Sequence, residues 1–166
     1  MRWLLGFVLL VVFALVGLRL YLSRDGEDRL NRGEETDFAH LQFAHRENVY
    51  LLCPAEPAIC NQPADAISPI FAGGVDHLRT TLMSALATEP RLRLVSEDAV
   101  RHRLVFIQRS LVLRFPDIVT VELIALTGAR STLAILSRSR YGRKDFGVNA
   151  ARVTRWIGKL TAAAGS

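Results

Sequence analysis

Between Arg91 and Arg140 the chain passes through four apolar stretches whose connections are too short to hold a helix, and this limits the fold more than any other feature. The stretches are Arg91 to Ser96, His102 to Ser110, Leu111 to Leu126 with a break at Phe115-Pro116-Asp117, and Ser131 to Arg140. Connections such as Glu97-Asp98 and Thr127-Gly128-Ala129-Arg130 have hairpin lengths, whereas a parallel crossover needs roughly a dozen residues or more. Consecutive strands are therefore expected to run antiparallel.

Helical patterns flank this meander. Val75, Leu78, Leu82, Ala85 and Leu86 recur at steps of three and four, which predicts a helix from Val75 to Thr88, with Gly73-Gly74 before it and Pro90 after it. A second helix is predicted from Ala150 to Ala163, with Asn149 as N-cap and Val153, Trp156, Ile157 and Leu160 on one face. A short apolar stretch, Val49 to Leu52, reads as a first strand. The order predicts an α+β fold: an antiparallel sheet of about four to five strands with two main helices on one face.

Ahead of that domain, Trp3 to Leu18 carries no charge and no proline; Arg19 interrupts, and Leu20, Tyr21 and Leu22 extend the apolar run. A helix from Trp3 to Leu22 at about 1.5 Å per residue reaches the ~30 Å of a hydrocarbon core. The expectation is an N-terminal transmembrane helix over residues 1–22. It would be a single-pass anchor in the cytoplasmic (inner) membrane, with the globular domain on the periplasmic side. A cleaved signal peptide is the rival reading, but LRLYLSRD lacks a small-residue cleavage pattern; a buried helix is the third. Residues 23–36, charged and poor in aliphatics, read as a solvated linker. The remaining 37–166 suffice for one domain.

Charge is unevenly distributed. The net charge is +5, yet Asp25 to Asp98 carries net −7 and Ala99 to Ser166 net +9. The halves complement each other, and no nucleic-acid partner is expected despite a pI near 9.9. Cys53 and Cys60, the two cysteines, stand in a proline-rich loop. A disulfide in an oxidising compartment is the favoured reading; free thiols, or a metal site completed by His40 and His45, are the alternatives.

The chemistry-bearing residues gather on the last strands and the corner after them. Alternation puts Arg138 and Arg140 on one face, with Ser137, Ser139 and Tyr141 on the other. Two adjacent guanidiniums call for anions, and Asp117 and Asp145 are the candidates within the chain, with Arg109 and Arg114 nearby in sequence order. The set Arg109, Arg114, Asp117, Arg138, Arg140, Tyr141, Asp145 and Asn149 reads either as an internal ion-pair network or as an anion site for a carboxylate, phosphate or lipid headgroup. No catalytic residue, cofactor or metal is assigned. Ser137 and Ser139 have no adjacent histidine, and no nucleophile elbow, P-loop or H-E-x-x-H is present.

The string SRSRYGRKDFGVNAARVTRWI, with FIQRSLVLRFPD upstream and the stretch from Cys53 to Phe71, resembles the domain-of-unknown-function family 1499. That resemblance covers most of the chain after Asp37. It implies bacterial or plastid proteins that often carry an N-terminal membrane or export segment, and it implies no activity. The combined expectation is a membrane-anchored cell-envelope protein. It would be a non-enzymatic binding or accessory module for an anionic lipid, another anionic envelope component or a protein partner. The alternatives are a hydrolase acting on an envelope ester and a purely structural protein.

Overall fold

Leu133, Ala134, Ile135 and Leu136 are buried in succession, which a strand permits only when both faces of its sheet are covered. They lie in the central strand of the domain. The computed structural model describes residues 2–24 and 36–165 of the 166-residue chain. Its strands are β1 (Val49–Cys53), β2 (Ala66–Ile67), β3 (Phe71–Ala72), β4 (Leu92–Asp98), β5 (Arg103–Arg109), β6 (Pro116–Leu126) and β7 (Arg130–Ser139). The helices are α1 (Arg2–Arg24), α2 (Val75–Leu86) and α3 (Val148–Ala164).

All seven strands form one sheet in the order β2-β1-β7-β6-β5-β4, with β3 also paired to β7. The meander from β4 to β7 is antiparallel throughout, as its short connections require. The expected antiparallel sheet of four to five strands is nonetheless corrected to a mixed sheet of seven, because β1 and β2 pair in parallel. The two added strands have two residues each, too short to register as a periodicity. The loop joining β1 to β2 takes the place of a crossover helix, and the Cys53–Cys60 disulfide staples it.

One face of the sheet carries α2 and α3. Val75, Leu78, Leu82 and Leu86 from α2, and Val153, Trp156 and Leu160 from α3, meet Phe106, Val119, Val121, Leu133 and Ile135. Trp156 is fully buried and meets Phe106 edge to face, with ring centroids 5.6 Å apart. The opposite face is covered by the segment before β1 and by the cystine loop: Phe38, Leu41 and Ile59 pack on Leu51, Ala134 and Leu136. That second cover explains why β7 reads as an unbroken apolar run.

The expected N-terminal transmembrane helix over residues 1–22 is overturned. The N-terminal apolar residues do form a helix, α1, and every side chain described on it is exposed. Among the described residues, however, no helix is long and apolar enough to cross a membrane. Arg19 interrupts the apolar run inside α1, after the sixteen uncharged residues Trp3 to Leu18. The linker expected over 23–36 falls almost wholly on residues 25–35, outside the described residues.

Truncating the central aromatic, Trp156→Ala, is expected to lower the unfolding free energy by about 3–5 kcal/mol, as large-to-small core substitutions do. Denaturant unfolding followed by circular dichroism reads it, and a loss under about 1 kcal/mol would place Trp156 outside the core.

Candidate functional site

Gly147 opens α3 with φ of 81°, a left-handed turn that glycine adopts without strain, so the chain reverses sharply out of β7. The N-cap is therefore Gly147, and Asn149, expected in that role, lies inside the helix. Asp145 supplies the capping oxygens instead, accepting from the Gly147 amide at 3.0 Å and the Asn149 amide at 2.7 Å. This frees the fully buried Asn149 side chain to face the sheet. Its Oδ1 accepts from Ser137 Oγ at 2.7 Å, and its Nδ2 donates to the Asn48 carbonyl at 2.9 Å.

One turn further on, Arg152 projects from the apolar side of α3 into the same layer, with a side chain only 5% exposed. Its Nε donates to Gln108 Oε1 at 2.7 Å, and its Nη1 to Ser137 Oγ at 2.9 Å and to Asn149 Oδ1. Its Nη2 donates to the buried Asp117 carboxylate. Four hydrogen bonds on one guanidinium are what a buried cation needs to offset desolvation.

The network continues through Gln108, whose Nε2 donates to Glu89 Oε2 at 3.2 Å and to the Pro90 carbonyl at 3.1 Å. Glu89, just beyond the C-terminus of α2, also receives Arg155 Nη2 at 2.9 Å and Lys159 Nζ at 2.7 Å. Burial alone would raise the Glu89 carboxyl, but hydrogen bonds from Arg155, Lys159 and Gln108 outweigh it and hold the group at about 2. One polar chain thus ties the ends of both helices to β5, β6 and β7.

A cleft of about 490 Å³ opens on this chain, between the start of α3, the end of β5 and the segment after α2. Its polar lining includes Arg91, Gln108, Arg109, Asp117, Arg152 and Arg155, and its apolar lining includes Pro90, Leu111, Val148 and Ala151. Four arginines and one carboxylate line it, and with Arg155 paired to Glu89 the balance is still cationic. Such arginines suit a carboxylate or phosphate, and the apolar residues suit an attached hydrocarbon.

The eight site residues expected from sequence divide accordingly. Arg109 and Asp117 line the cleft. Asp145 and Asn149 build its helical wall from behind. Arg114 borders a smaller recess of about 210 Å³ with Arg91 and Arg109. Tyr141 packs its ring against Phe115, with centroids 6.0 Å apart. Arg138 and Arg140 alternate onto the face opposite Ser137, and so away from α3. The ion partner found for Asp117 is Arg152, which sequence reasoning passed over. The available signal was its position: Asn149, Arg152, Val153, Trp156 and Leu160 share one helical stripe, and an arginine inside such a stripe must find partners in the core.

The Ser137 hydroxyl is engaged by Asn149 and Arg152, which leaves it without a base. Among the described residues, no group of three or more His, Cys, Asp or Glu could hold a metal ion.

Residues 44–160 match the family model described as "Protein of unknown function (DUF1499)". No curated protein matches the chain. Among solved structures, the di-domain ARO/CYC BexL from the BE-7585A biosynthetic pathway is similar at 15% identity with a TM-score of 0.42, covering 59% of this chain. The chain spans less than half the length of that protein, with 44% covered. A likeness this remote bears on neither fold nor function.

Two outcomes test the network. Arg152→Met is expected to cost about 3–5 kcal/mol in chemical denaturation, because it leaves Asp117 buried without its cation, and adding Asp117→Asn should recover part of that loss. Acid titration tests Glu89. A carboxyl held at about 2 in the fold, against an ordinary 4.5, stabilises the fold above about pH 4.5, and that contribution is lost as pH falls toward 2. Unfolding midpoints across pH 2–5 should show this slope, flattened in Glu89→Gln; equal slopes would contradict it.

Proposed function

The chain belongs to the DUF1499 family, and from the cleft beside Arg152 we propose that it is a non-enzymatic binding module for a small anionic amphiphile, a carboxylate or phosphate head on a hydrocarbon tail. The observation that carries the reading is the mixed lining of the cleft: Arg91, Arg109, Arg152 and Arg155 together with Pro90, Leu111, Val148 and Ala151. Such a site takes the head by charge-assisted hydrogen bonds and the tail by apolar burial. The walls are fixed in advance, since α3, β5 and β6 are cross-linked by the Arg152 network, and a pre-formed site loses little entropy on binding.

This reading also favours an oxidising, envelope-type compartment, supported by the Cys53–Cys60 disulfide. An accessory role in the envelope follows from binding such a ligand, and no catalytic step is required of the site.

Calorimetric titration of the full chain tests the reading with four probes: octanoate, octyl phosphate, 1-octanol and inorganic phosphate. Both amphiphilic anions should bind more tightly than octanol or inorganic phosphate, since only they use both the arginines and the apolar residues. Arg91→Ala should weaken octyl phosphate about tenfold, the worth of one charge-assisted hydrogen bond. Equal affinity for octanol and octyl phosphate, or an unaffected Arg91→Ala, would contradict the proposal.

A further inference from the structure

Phe146 has a backbone φ of 54° and a side chain 93% exposed. A bulky aromatic is costly in the left-handed region, where asparagine or glycine would do as well for the backbone, and here it gains no packing in return. The fold therefore does not account for phenylalanine at this position. Its neighbourhood repeats the pattern: Val148 is 51% exposed, and Leu111 and Val112, in the loop between β5 and β6, are 69% and 68% exposed.

These two apolar tips stand side by side. The Phe115 and Tyr141 rings meet between their loops, and the Arg140 amide donates to the Pro116 carbonyl at 3.3 Å. Leu111 and Val148 both line the Arg152 cleft.

Neither tip is loosely held. The Ser110 amide donates to the Phe115 carbonyl at 2.9 Å, the Phe115 amide to Ser110 Oγ at 2.9 Å, and Arg109 Nη1 to the Arg114 carbonyl at 3.1 Å. Across the other loop, Asn48 Nδ2 donates to the Gly142 carbonyl at 2.7 Å, and the Asp145 amide to the Glu47 carbonyl at 3.4 Å. Apolar side chains are thus held out into water on braced loops, an arrangement that marks an interaction surface.

Charge selects the occupant. Beside the tips the chain carries Arg109, Arg114, Arg143 and Lys144, against Glu47, which pairs with Lys144 at 3.4 Å, and Asp145, whose oxygens cap α3. Apolar tips set among an excess of cations match a bilayer with anionic headgroups, where each basic side chain near the surface adds roughly 1 kcal/mol of attraction. The core of a protein–protein interface, by contrast, is depleted in charge.

We propose that the loops 110–115 and 140–148 dock on an anionic lipid surface, inserting Leu111, Val112, Phe146 and Val148 at headgroup depth. The cleft then faces the bilayer. This rests on the amphiphile-binding reading and gives the ligand its source: a lipid headgroup reaches the Arg152 wall without crossing bulk water.

The test is site-specific, so that other contacts with vesicles cannot imitate it. Phe146→Trp is placed in a Trp3→Phe background of the full chain, leaving buried Trp156 as the second indole. Fluorescence is measured on vesicles of brominated phosphatidylglycerol and of brominated phosphatidylcholine. Position 146 should be quenched and blue-shifted on the anionic vesicles and unchanged on the neutral ones. Adding Arg143→Glu and Lys144→Glu should raise the lipid concentration for half-quenching at least about tenfold. Absence of quenching on anionic vesicles, or equal quenching on both, overturns the docking proposal. The soluble octyl phosphate titration separates the two readings: docking fails alone if octyl phosphate still binds, and the cleft reading fails if the tips insert while octyl phosphate does not bind.

Discussion

A guanidinium buried under a helix must be given hydrogen-bond acceptors on several sides or it destabilises the fold, and satisfying Arg152 organises this domain. Its acceptors come from β5, β6, β7 and its own helix: Gln108, Asp117, Ser137 and Asn149. No one of them suffices, since desolvating a charge costs several kcal/mol and each bond returns only a part of it. The arrangement therefore holds only when α3 sits at one height and rotation over the sheet. The apolar stripe of Val153, Trp156 and Leu160 supplies most of the attraction, and Arg152 supplies the register.

The same constraint sets the corner before α3. Asn149 can turn its amide toward Ser137 and Asn48 only because Asp145 takes over capping, and Asp145 can do so only because Gly147 bends the chain through a positive φ. The corner is thus structural in origin. Its functional yield is indirect: a fixed helix start, a cationic cleft beside it, and a loop that carries Phe146 outward.

Much of the fold was legible. The meander from β4 to β7 followed from connections too short to cross over, and both domain helices followed from apolar spacing. Three features were not. The two-residue strands β2 and β3 leave no periodic trace, and β2 pairs through a loop closed by the disulfide. The N-terminal apolar run reads as a span if Leu20 to Leu22 are counted, yet among the described residues no helix is long and apolar enough to cross a membrane. The site was half legible: strand alternation placed Ser137 and Arg138 on opposite faces, yet Asp117 was matched with strand arginines because the partner from α3 is distant in sequence. A charge lying inside an apolar stripe carried that information.

The central claim is that the Arg152 wall receives an anionic head from outside the protein. Arginine side-chain Nε–Hε resonances of the full chain, followed by nuclear magnetic resonance during titration with octyl phosphate, test it most directly. The account predicts saturable shifts at Arg91, Arg152 and Arg155, with Arg130, on the far side of the sheet meander, unmoved. Shifts spread evenly over the surface arginines, or none at Arg91 and Arg152, would contradict it.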